Sequence, residues 1–64
     1  MKHEVRTRYG WGWEVVGPDF CSWPIETAIA AEKMADAMNA GQPPHIAVEI
    51  AGLRMSGARL VDRT

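Results

Sequence analysis

A single cysteine among 64 residues leaves no way to close an internal disulfide, and Cys21 carries no flanking motif that would mark it as a nucleophile. Histidine is nearly as scarce. His3 and His45 lie far from Cys21 and from each other in the chain, without the closely spaced ligand pairs of zinc sites, so neither a metal nor a cofactor is expected. The acidic residues are scattered singly and offer no paired carboxylates for acid–base work, and Gly10-Trp11-Gly12 and Gly17-Pro18 do not lead directly into a helix as phosphate loops do. An enzyme is not expected. Neither sign of charge dominates: seven Lys and Arg stand against eight Asp and Glu, the net charge is −1, and no basic cluster interrupts the scatter. Nothing in that balance draws the chain to phosphate or to an anionic membrane, so neither nucleic acid nor a membrane is expected as a partner. No apolar run approaches the eighteen or so residues of a spanning helix, and the start is not signal-like. The expectation is a soluble, cytoplasmic protein in a reducing compartment.

What is present is enough apolar material to fold, at 47% of residues against 23% charged. A chain this short buries only about 60% of its unfolded surface, so its core must be thin and residues 1–64 form a single small domain, with 1–3 and 62–64 expected to fray. The clearest pattern runs from Thr27 to Asn39. Thr27, Ala31, Met34, Ala35 and Met38 fall on one side of a 3.6-residue period, with Glu32, Lys33, Asp36 and Asn39 on the other. That predicts an amphipathic helix capped by Thr27, with Ser22 as an alternative cap, ending where Gly41 can take the left-handed position. Ile29 falls on the charged side and wants a neighbour.

Before the helix the period changes to two. Val5, Thr7, Tyr9, Trp11, Trp13 and Val15 alternate with Glu4, Arg6, Arg8, Gly10, Gly12 and Glu14, which predicts strands over Val5–Tyr9 and Gly12–Val16. Gly17-Pro18-Asp19 then turns the chain into a short third strand, Phe20–Trp23. Beyond the stiff Pro43-Pro44 connector, Ile46, Ile50, Leu53, Gly57 and Leu60 recur at alternating spacings of four and three. That spacing favours a second helix with a coiled-coil seam through Ile46, Ile50, Leu53 and Leu60, which would dock on the first helix or on a second copy of the chain as a homodimer. A strand over Ile46–Ile50 competes, since that stretch also alternates and Gly52 and Gly57 each weaken a helix by about 1 kcal/mol. The fold class expected is α+β: a three-stranded antiparallel β-meander packed on one helix, with a second, C-terminal helix.

Tyr9, Trp11, Trp13, Phe20 and Trp23 crowd into one short segment, and so small a core cannot easily enclose three indoles beside a Met stripe. Exposed aromatic and Arg residues are those that dominate binding hot spots, which singles out Trp11, Trp23, Arg8 and Ile29 as partner contacts. The Gly12-Trp13-Glu14-Val15-Val16-Gly17-Pro18-Asp19 segment and the Thr27-to-Ala40 run with Ala31, Met34, Ala35 and Met38 resemble small phage and prophage proteins. That resemblance implies a module that binds one larger host protein, anti-CRISPR inhibitors being the best-known kind, and it names no contact residue. The alternative is a small dimeric DNA-associated regulator that pairs through the C-terminal heptads.

Overall fold

The computed structural model describes residues 2–8 and 10–63, so Tyr9, the expected end of the first strand, lies outside the described residues. Three strands come first: β1 (Glu4–Thr7), β2 (Trp13–Gly17) and β3 (Phe20–Cys21), antiparallel and in that order across the sheet. Val5 sits opposite Val15 and Thr7 opposite Trp13, while Arg6 sits opposite Glu14. Because successive strand side chains point to opposite faces, this register sends the fully buried Val15 into the core and Arg6 and Glu14 out of it. Pro18 and Asp19 form the two-residue turn between Gly17 and Phe20, as the sequence predicts.

The third strand is shorter than expected, for a local reason. At Ser22 the side chain replaces the backbone: Ser22 N–H donates to the Val15 carbonyl at 2.9 Å, but Val15 N–H donates to Ser22 Oγ, also at 2.9 Å. Pro24 then has no N–H to give. Pairing resumes at Ile25, which exchanges both backbone hydrogen bonds with Trp13, at 2.7 and 2.9 Å.

Helix α1 (Ala28–Asn39) follows, with the Ala30 N–H donating to Thr27 Oγ1 at 3.3 Å, so Thr27 is the cap. The predicted stripe is the buried one: Ala31, Met34, Ala35 and Met38 are all in the core, joined by Ala30 and Ala37. At the far end Gly41 N–H donates to the Met38 carbonyl and Gln42 N–H to the Ala37 carbonyl, each at 3.0 Å, which satisfies two of the carbonyls a helix end leaves orphaned. Ile29 finds no neighbour in the core and remains 70% exposed.

The second helix corrects the sequence reading. Helix α2 covers only Pro44–Ile50, with Pro44 in its first turn, and the rest of the expected helix is a hairpin of β4 (Leu53–Ser56) and β5 (Arg59–Asp62). Gly57 explains the turn: its φ of +65° at the first of two loop residues suits the tight hairpin connection that matches strand twist. The seam of Ile46, Ile50, Leu53 and Leu60 is therefore not formed. Ile46 and Ile50 sit on α2, Ile50 exposed, whereas Leu53 and Leu60 lie in two paired strands and are buried inside their own chain. The element order is β-β-β-α-α-β-β, a small α+β domain with a three-stranded and a two-stranded antiparallel sheet.

One residue joins the two sheets. On the side away from Trp13, Leu60 N–H donates to the Pro24 carbonyl at 2.7 Å and Glu26 N–H to the Leu60 carbonyl at 3.1 Å, so Ile25 is bracketed by β2 and β5. Ile25, Met34, Leu53, Leu60 and Val15 are the largest fully buried side chains, and burial stabilises each by about 1.5–3 kcal/mol. The ends are tied in as well. Asn39 Oδ1 accepts from His3 N–H at 2.7 Å and Asn39 Nδ2 donates to the His3 carbonyl at 3.0 Å, and Asp62 pairs with Leu53.

Candidate functional site, an apolar groove beside the third strand

The break at Ser22 and Pro24 has a second effect, since it leaves the Trp23 side chain outside the core, 54% exposed. Beside it lies an open groove of about 440 Å³. Phe20 to Trp23 form one wall and residues of α2, including His45 and Val48, form the other; Met34, Leu53 and Leu60 lie at the bottom, and Met55 is exposed at its edge. A volume in this range and a mainly apolar lining are typical of ligand and side-chain pockets. The charged groups around it are Arg54, Arg63 and Glu49.

Of the four contact residues expected from the sequence, Trp23 alone lines this groove. Ile29 stands exposed on α1. Trp11 is half-buried under β5, with the Arg59 guanidinium 4.6 Å from its ring centroid, an attractive placement of a cation over an indole face. Arg8 is drawn into an ion-pair cluster on the outer face of the first sheet. There Glu14, only 4% exposed, accepts from Arg6 Nε at 2.5 Å and from Arg8 Nη1 at 3.1 Å, and Cys21 Sγ lies 3.6 Å from the same carboxylate. The hydrogen-bonded Arg6 guanidinium holds Glu14 below the usual carboxylate range, with Arg8 assisting, against the burial that pushes the other way. The same contact raises Arg6.

Met55, Val48, Arg54 and Arg63 were missed as site residues. The available signal was Ser56-Gly57-Ala58-Arg59, a glycine turn between two four-residue runs, which would have placed Leu53 and Met55 on one face of a strand. Cys21 and His45 both line the groove, while His3 instead packs edge-on to Phe20 with ring centroids 5.9 Å apart. Among the described residues no three His, Cys, Asp or Glu side chains are grouped to hold a metal ion, and no helix is long and apolar enough to cross a membrane.

Fold and groove together define the class: a small α+β domain with an exposed tryptophan on an apolar surface cleft. Set against known protein families, characterised proteins and solved structures, the chain matches none of them.

Proposed function

We propose that the protein is a non-enzymatic binding module that occupies a surface of a larger host protein or complex, in the manner of a phage-encoded inhibitor of a defence system such as an anti-CRISPR protein. The observation that carries this reading is Trp23, exposed beside an open groove whose bottom is apolar. An exposed indole next to a desolvated pocket is the usual composition of a binding hot spot, and Trp is among the residues most enriched there. Trp11 and Arg8 belong to the same proposal as flanking contacts, since the Arg59 and Glu14 contacts fix both side chains in place before any partner arrives. Ile29 would extend the contact along α1. The dimeric DNA-associated alternative loses its support, because the heptad seam it needs is not a helix.

The test is capture from bacterial lysate by the tagged chain, identification of what is retained, and titration of that purified protein with wild type and Trp23→Ala. Trp23 is outside the core, so the variant folds; its affinity is expected to fall by about thirtyfold, the loss typical of a hot-spot residue. A folded Trp23→Ala that binds the retained protein as tightly as wild type removes the docking reading. Raised plating of a CRISPR-targeted phage on a host expressing the chain would mark the inhibitor type, and unchanged plating would remove that part alone.

A further inference from the structure

The register of the first sheet determines which backbone groups of β3 are already engaged. Ser22 N–H donates to the Val15 carbonyl, which makes Val15 and Ser22 a hydrogen-bonded pair. In an antiparallel ladder such pairs alternate with pairs whose N–H and C=O groups point away from each other. Cys21, opposite Val16, is one of the latter, so its N–H and C=O point away from β2. β3 is the last strand of its sheet, and Cys21, Ser22 and Trp23 line the groove along that outer side. The groove therefore combines a strand edge that is unpaired among the described residues with an apolar hollow of about 440 Å³.

Its charge points to the kind of occupant. The charged residues that line the groove are two basic ones, Arg54 and Arg63, and one acidic one, Glu49, in a chain whose net charge is −1. Among the described residues the ion pairs are those of Glu14 with Arg6 and Arg8, and neither Arg54 nor Arg63 takes part in one. Glu14, by contrast, already has two arginines. Of the cations outside those pairs, Arg54 and Arg63 are the ones that line the groove.

Resting on the docking reading above, we infer that the groove receives an extended, acidic and apolar segment of the partner, which adds to the edge of β3 as a strand. Its backbone exchanges hydrogen bonds with Cys21, one apolar side chain enters the hollow over Leu53 and Leu60, and a carboxylate pairs with Arg54 or Arg63. Main-chain bonds supply affinity in this mode of recognition and the pocket for alternate side chains supplies selectivity. A helix laid in the groove would leave the Cys21 edge unused, because its own backbone groups are bonded internally.

The test uses a phage-displayed library of random heptapeptides, selected on the intact chain with Trp23→Ala as the counter-selection. Expected is enrichment of sequences with apolar residues at alternate positions and Asp or Glu beside them. In the synthetic peptide so obtained, N-methylation of the amide that meets Cys21 should weaken binding about fivefold, the worth of one hydrogen bond. Arg54→Gln together with Arg63→Gln should weaken it about twofold to fivefold, the worth of an exposed ion pair. Enrichment of basic sequences, apolar spacing of three and four, indifference to N-methylation, or no enrichment over the counter-selection would each overturn the inference. The two readings fail separately. A captured protein lost from Trp23→Ala with no peptide enriched keeps the docking and removes strand addition; an enriched acidic strand with capture indifferent to Trp23→Ala keeps the groove chemistry and removes the docking.

Discussion

Gly12 passes so close to Ile25 that a β-carbon added to it would stand 2.2 Å from the Ile25 carbonyl oxygen, and its φ of +70° is one that other residues adopt only under strain. The same carbonyl accepts the hydrogen bond from Trp13 N–H that fastens Ile25 to β2. Gly12→Ala should therefore both strain the backbone and part the two sheets, at a cost of about 3 kcal/mol or more out of roughly 3–10 for a chain of this length. Gly57→Ala has a similar φ but open space around it, so only the backbone cost of about 1–2 kcal/mol applies. Urea denaturation of the two variants checks the ranking, and equal losses would show that the Gly12 approach is not tight.

Leu60→Ala and Leu53→Ala each empty a fully buried site, and the expected loss is about 2–5 kcal/mol apiece. Ile50→Ala, on the exposed side of α2, should change stability by less than about 0.5 kcal/mol. A coiled-coil seam would make the three comparable and concentration-dependent. Denaturation at two protein concentrations, with light scattering of Ile50→Ala, separates the two pictures.

Glu14 predicts a pH dependence with a definite sign. Its carboxyl lies below the ordinary value of 4.5 in the folded chain and returns to it on unfolding, so between the two the unfolded state binds more protons. The stabilisation is complete above that ordinary value and is lost as pH falls through the depressed one. Urea midpoints from about pH 6 down to about pH 3 should fall more steeply for wild type than for Glu14→Gln. Parallel curves would mean that Arg6 and Arg8 do not hold the carboxylate in solution.

Arg59→Ala removes the cation over Trp11 and should cost about 0.5–1 kcal/mol, with the Trp11 indole becoming more solvated and its emission moving to the red. Arg59→Lys should recover part of both effects. An unchanged spectrum in Arg59→Ala would show that the indole is held by its loop alone.

Much of this molecule is written locally. The first helix could be read from the period of Ala31, Met34, Ala35 and Met38, from a threonine able to accept an early amide and from a glycine able to end the turn, because every one of those interactions joins residues four or five positions apart or fewer. The first three antiparallel strands were legible for the same reason: alternation spans a single strand and Pro18-Asp19 closes its own turn. The candidate site was legible only at Trp23. Met55 and Val48 reach the groove through a hairpin and a short helix whose limits were misread, and the groove exists only where those elements meet β3.

The stretch from Ile46 to Leu60 was settled by tertiary structure. Spacings of four and three suit a helix, yet the same leucines suit strand faces, and over fifteen residues the two patterns differ by little more than the glycines. What decides is distant in the chain: Leu60 bonds the backbone at Pro24 and Glu26, and Leu53 and Leu60 bury against a core that Ile25 and Met34 supply. The amino-acid order determined which segments could be amphipathic and where they had to stop. Which partner Leu53 and Leu60 would find depended on contacts such as those of Leu60 with Pro24 and Glu26, more than thirty residues apart, and those free energies have no trace in local pattern.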